Sequence, residues 1–496
     1  MSLFRKKDLS AMLAQAEDGG KGLKRTLGAG NLIALGVGAI IGAGLFVRTA
    51  AAAGQAAGPA VTISFIVAAI GCAFAGLCYA EFAAMIPISG SAYAYSYVTM
   101  GETVAWIIGW ALIMEYALGA ATVSIAWSEY LNKLLGGGIP YEWSHSPFES
   151  ITDTAGVVHH GIMNAPALVI LLLLTLLLIK GTQESAIVNA IIVFIKVAIV
   201  LLFIFIGWRF INPANHTPYM IPANQPPVVD ASGKVIADYS GVFKHGWGGV
   251  LGGAAIVFFA FIGFDAVSTA AQEAKNPKRD MPIGILGSLV VCTILYILFG
   301  HVLTGVANWK DFVDPLKGRE ASVAYAISTY MTGYGWLATA VTVAILAGFS
   351  SVILVMLMGQ SRVFFSMAND GLLPSVFSDL HPKYRTPYKS NWILFVFVGA
   401  FAAFVPGSVA GDLTSFGTLF AFVLVSAGVW ILRKKSPEME RPFKTPLVPL
   451  VPILGAVICL AMIFALDAQT LKVAFAWMAL GLVVYFVYSR KHSKLN

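Results

Sequence analysis

Several charged residues and glycines in this sequence sit inside long apolar runs, and they are the positions that could do chemistry. Lys196 lies about twelve residues from either end of the run 184–211, roughly 18 Å along a helix, whereas a lysine side chain reaches only about 6 Å. Its amine therefore needs a cavity, an acidic partner, or a neutral state during part of a working cycle. A lysine that alternates between neutral and charged states is a proton carrier. Glu115 is similarly central in IMEYALGAA, where it either contacts a polar ligand group or partners Lys196 or a neighbouring helix. Ser350 and Ser351 are central in another run and bond either the Lys196 amine or their own helix carbonyls.

Glycines mark a second set of positions. GVGAIIGAGLF at 36–46 holds Gly36, Gly38, Gly42 and Gly44, and each glycine costs a helix about 1 kcal/mol relative to alanine. Close packing of a GxxxG kind, here Gly38 and Gly42, is one compensation; local unwinding for a purpose is the other. Ala-x-Ile-Gly at 39–42 returns at 260–263 in FFAFIGFD, followed by Asp265. The copies lie five helices apart, so the second runs in the opposite direction, as in inverted repeats whose interrupted helices cradle a ligand at mid-depth. Unwound backbone offers N–H groups to a carboxylate and carbonyls to an ammonium, which suits a zwitterionic amino acid. Asp265 has a local role available, satisfying N–H groups freed by its own break.

The elements that hold these residues are read from composition. Only 11% of the 496 residues are charged and 58% are hydrophobic, so lipid is the solvent for most of the surface. Apolar runs predict about twelve spanning helices, near 28–54, 59–86, 101–131, 163–181, 184–211, 247–273, 282–307, 334–367, 391–407, 412–433, 449–466 and 471–489. Of the 32 Lys and Arg residues, 22 then fall on the side of the N-terminus and 9 opposite, which puts both termini in the cytoplasm. The polar, basic start is wrong for a cleaved signal peptide. The net charge of +7 is spread over short loops and points to orientation rather than to a nucleic-acid partner. The loops near 132–162 and 212–246 read as external caps in which His145, His159, His160, His216 and His245 are solvated, and 321–331 reads as a short amphipathic external helix. Cys72, Cys78, Cys292 and Cys459 lie in apolar runs without metal or disulfide spacing, and no metal or cofactor is expected. Without a charged pore ring or a cluster of catalytic groups, a carrier is favoured over a channel or an enzyme.

Four motifs together resemble the amino-acid, polyamine and organocation transporter superfamily, and within it the bacterial cationic amino-acid transporter branch: 36–46 above, PISGSAYAYSY at 87–97, FFAFIGFDAVST at 258–269, and Glu273, Asn276, Pro277, Arg279 and Pro282 in an ExxNPxRxxP pattern. The resemblance covers residues 24–490. It implies an all-α membrane protein with two inverted five-helix repeats, 28–211 and 247–433, and two extra helices within 434–490. The remaining parts are a cytoplasmic segment 1–27, an external loop 212–246 and a cytoplasmic tail 491–496. The first and sixth helices are discontinuous in this reading. Main-chain groups of Ile40, Ile41, Gly42, Ala43 and Gly44 would hold a substrate carboxylate, and those near Phe258, Ala260 and Ile262 its ammonium. Phe259 would close the site outward, Lys196 would carry the coupling proton, and Glu115 would lie near the substrate side chain. The implied activity is proton-coupled, sodium-independent amino-acid import across the plasma membrane, with exchange as the alternative and a single-helix partner left open. One departure is Ala111 where the branch often has an aspartate, which makes small or branched neutral substrates as plausible as cationic ones.

Overall fold

A computed structural model describes residues 5–6, 27–86, 91–153, 156–180, 186–230, 233–269, 271, 274–319, 322–384 and 386–495. Most of the predicted 1–27 segment, residues 87–90 of the second motif, Glu273 and Asn496 lie outside them. Among the described residues, seven helices are long and apolar enough to cross a membrane, and five shorter apolar helices accompany them. Their positions follow the apolar runs: Val61–Met85, Ala165–Lys180, Ala186–Gly207, Pro277–Val306, Gly335–Asn369, Tyr388–Phe404, Gly407–Lys435, Leu450–Phe464 and Ala468–Val484 are continuous α-helix.

Sequence sets where these helices start. Pro277 opens one at a position where its missing N–H costs nothing, and the Asp467 side chain accepts from the N–H of Gln469 at the start of another. Apolar residues around the whole circumference leave bulky side chains facing outward, among them Phe194 (73% exposed) and Phe205 (72%). In a soluble protein such a face would need a cover; here lipid supplies it. Inward, glycines let helices touch. A Cβ on Gly36 would stand 2.5 Å from the Ser288 side chain, and one on Gly284 2.6 Å from Leu32 Cβ, so the first and seventh apolar segments pack with each glycine backbone against a side chain of the other.

Three elements are not continuous α-helix: the first and sixth, expected to be interrupted, and the third, expected to be straight. The first segment is α-helical over Ala29–Ile40, breaks, and resumes as a π turn Gly44–Arg48 leading through Thr49–Ala52 and Ala53–Ala57. The sixth is Gly246–Val257, a 3-10 turn Phe258–Phe261, and then Ala266–Thr269. The third, Glu102–Ile113, passes through a π turn at Met114–Leu118 into Gly119–Leu134, an irregularity that the apolar pattern does not announce.

Outside the bundle, the loops near 132–162 and 212–246 each carry an antiparallel two-stranded hairpin, Ser150–Thr152 with Val158–His160 and Val228–Val229 with Val235–Ala237. His145 departs from expectation: it is 8% exposed and stacks on Tyr141 with ring centroids 3.8 Å apart. The short helix Ser322–Tyr330 matches the predicted amphipathic one. At one end of the bundle Glu81 is buried between Arg433, at 2.8 Å, and Arg441, at 3.3 Å. At that same end Glu102 accepts hydrogen bonds from Tyr97, Tyr485 and Ser493, while Lys494 N–H reaches the Asp370 carbonyl and Arg5 the Leu495 carbonyl.

Candidate functional site

The two interrupted segments cross at their breaks. A Cβ on Gly44 would fall 2.2 Å from Ala260 Cα, closer than any side chain could stand, so glycine is required for this approach. Gly263, at φ 114°, adopts a backbone angle that favours glycine and would set a Cβ 2.9 Å from the Ala39 carbonyl. After Ile41, whose N–H still bonds the Val37 carbonyl, Gly42 accepts from the N–H groups of Leu45 and Phe46. No backbone acceptor for the N–H groups of Gly42 and Ala43 is found among the described residues. On the sixth segment Ile262 turns extended (ψ 133°) and ends the 3-10 turn. Ile40, Ile41, Gly42, Ala43, Gly44, Phe258, Phe259, Ala260 and Ile262 are all buried at this crossing.

A residue that the sequence reading did not single out joins the breaks. Tyr296, in Pro277–Val306, places its hydroxyl 3.0 Å from the Ile40 carbonyl and 2.8 Å from that of Ala260, so one donor serves carbonyls of both interrupted helices. The signal available was a tyrosine deep in an apolar run, where a hydroxyl must find a partner.

Lys196 approaches the first break from the fifth helix. Its Nζ donates to the Gly38 carbonyl at 3.0 Å, one of the last carbonyls of Ala29–Ile40, where the helix dipole favours a cation. Gly348 makes room: a Cβ there would meet Lys196 Cε at 2.8 Å. Ser350 Oγ donates to its own helix, to Leu346 at 2.9 Å, and Ser351 is buried on the same helix.

Glu115 lies on the π turn of the third segment and is fully buried, as is Asp265. Tyr116 Oη donates to Asp265 Oδ2 at 3.0 Å, and the Glu115 carboxyl lies beside that of Asp265, with Thr418 nearby. Of the two partners open to Glu115 in the sequence, a neighbouring helix is the one found, through Asp265 on the sixth. Asp265 also lies beside the backbone N–H of Gly263.

Toward the loop that carries Ser322–Tyr330, the crossing is covered. The Phe46 carbonyl accepts from Ser322 Oγ at 2.9 Å and Tyr130 Oη at 3.2 Å, and the Phe46 ring packs on Phe299 and Phe349. Arg48 forms an ion pair with Asp412 of Gly407–Lys435, and its guanidinium lies 6.0 Å from the Phe259 ring centroid. Phe259, expected as an outward cover, is thus itself overlain by an ion pair that the sequence reading did not contain.

The chain matches the pattern of a family described as amino acid permease over residues 27–488. It is similar to a branched-chain amino acid permease of Bacillus subtilis, 44% identical over 100% of this chain and 99% of that one. It is 41% identical to a methylthioribose transporter of the same organism, with the same coverage. A vacuolar cationic amino acid transporter of Arabidopsis thaliana is 33% identical over 88% of this chain and 68% of its own.

Proposed function

We propose, from the premise that this chain belongs to the amino acid permease family, that it imports an amino acid by alternating access around the crossing of its first and sixth segments. The protein is a multi-pass membrane transporter and not an enzyme. The observation that carries the finer reading is the pair of breaks meeting at Gly44 and Ala260, which leaves the N–H groups of Gly42 and Ala43 for a substrate carboxylate. Carbonyls near Phe258, Ala260 and Ile262 suit its ammonium, with that of Ala260 already sharing the Tyr296 hydroxyl.

In this reading twelve helices cross the plasma membrane, both termini are cytoplasmic, and the first ten form two inverted repeats. Arg48 and Asp412 close the outer side over Phe259. Protonated Lys196 holds the half-helix Ala29–Ile40 through Gly38; losing the proton removes the cation from the negative end of that helix and frees it to move. The coupling ion is therefore a proton. Ala111 in place of a second acid, and the branched-chain relative, favour a small or branched neutral substrate over a cationic one.

The test is uptake of labelled amino acids into liposomes under an imposed pH gradient. Gradient-driven accumulation is expected for the wild type and is expected to be lost in Lys196→Ala. Full accumulation in that variant would remove the proton role, and uptake that requires amino acid inside would make the protein an exchanger. A competition panel of the twenty amino acids, with methylthioribose added, assigns the substrate.

A further inference from the structure

Two acids meet inside the bundle, and among the described residues no cation pairs with them. Glu115 and Asp265 are both fully buried, on the π turn of the third segment and just past the break of the sixth. Their carboxyls lie beside one another. Yet Glu115 Oε1, Glu115 Oε2 and Asp265 Oδ1 find no hydrogen-bond donor among the described residues. Asp265 Oδ2 takes the Tyr116 hydroxyl at 3.0 Å, and the Thr418 hydroxyl donates to the Thr414 carbonyl at 3.1 Å. Among the described residues, the titratable groups facing the pair are Tyr79 from the second segment, Tyr95 from the short helix Ser91–Thr99 and Tyr116 from the third. All three are phenols, and none supplies a positive charge.

Carboxylate oxygens only accept hydrogen bonds, so two ionised acids cannot bond each other. Like charges at contact in a water-poor interior also oppose joint ionisation, and buried acid dyads resolve this by holding one proton between them. We infer that Glu115 and Asp265 share a bound proton, forming a proton site separate from Lys196. The shared proton turns one carboxyl into a donor and satisfies an oxygen on each residue. Its adjacent placement follows from the wide π turn, which points Glu115 and Tyr116 together at Asp265. Releasing the proton sets two negative charges face to face between the third and sixth segments and favours a state in which they part. That use of the site rests on the transport reading above; the shared proton itself does not.

Infrared spectra of the purified, detergent-solubilised protein test it. At neutral pH the wild type is expected to carry the carbonyl stretch of a protonated carboxylic acid. The band is expected to be lost in Glu115→Gln, where the new amide donates to an ionised Asp265, and equally in Asp265→Asn, where the new amide donates to an ionised Glu115. Absence of the band in the wild type, its persistence in both variants, or its loss in only one would overturn the shared proton. Gradient-driven uptake is scored separately: its failure with the band intact removes proton symport and leaves the pair, and the reverse result removes the pair and leaves symport.

Discussion

Replacing Tyr296 with phenylalanine isolates the joint between the two interrupted helices. The ring packs against Phe65 and Phe261, each with centroids 5.3 Å away, and phenylalanine keeps those contacts, so the perturbation is the loss of one hydroxyl. That hydroxyl is 3.0 Å from the Ile40 carbonyl and 2.8 Å from the Ala260 carbonyl, and both acceptors belong to backbone that the breaks have deprived of helical partners. A single proton makes about one hydrogen bond, so the cost is that of one buried carbonyl left bare, about 1–3 kcal/mol. If the breaks stay joined only while the site is closed, the penalty falls on the closed state and substrate affinity drops by the same amount, roughly 5- to 150-fold. The assay is equilibrium binding of a labelled amino acid to purified protein, with thermal unfolding recorded alongside. A variant that binds within twofold of the wild type would refute the view that this hydroxyl holds the closed arrangement. A lower unfolding temperature with unchanged affinity would mean that the joint persists when the site opens.

Gly44→Val directs a side chain into Ala260 Cα at 2.2 Å, where no rotamer relieves the backbone clash. Overpacking of about 1–3 kcal/mol or more predicts at least a roughly fivefold fall in initial uptake rate, whereas Gly30→Ala, with nothing within 4 Å, should transport normally. In the loop hairpin, His159 bonds Glu142 at 3.2 Å and lies 3.5 Å from Asp153, and these acceptors hold its ring above its ordinary value of 6.5. A raised value means the contact contributes fully below pH 6.5 and is lost as the pH climbs through the raised value. Amide exchange in the hairpin strands is expected to quicken over that interval, and His159→Gln should flatten the pH dependence.

How much of this was legible in the chain itself depends on whether a feature is local. The breaks were readable, because an apolar helix that tolerates four glycines between 36 and 44 must be compensated, and the Ala-x-Ile-Gly echo at 260–263 located the second one. Lys196 was readable as a charge at mid-depth. Its partner was not, since Gly38 acts through a carbonyl that every residue possesses. The Glu115 pairing spans 150 positions to Asp265, and the π turn that carries it packs against Gly417, whose added Cβ would stand 2.8 Å from the Ala111 carbonyl. Tyr296 looked like one more aromatic in an apolar run, because its importance lies in two backbone acceptors from other helices. The loop hairpins are only two or three residues per strand, below the length at which alternation carries a signal.

The hydrogen bonds that gather on Glu102 have a consequence in time. Its carboxylate is shared by Tyr97, five residues away, and by Ser493, 391 residues away. At a synthesis rate of about 5–20 residues per second, roughly 20–80 s pass between the emergence of the first partner and that of the last. Throughout that interval the helices can enter the bilayer and pack, but this end of the bundle lacks the segment that finishes it. A nascent chain therefore acquires its early helices long before it acquires this seal, which closes only just after the last helix, Ala468–Val484, has been made.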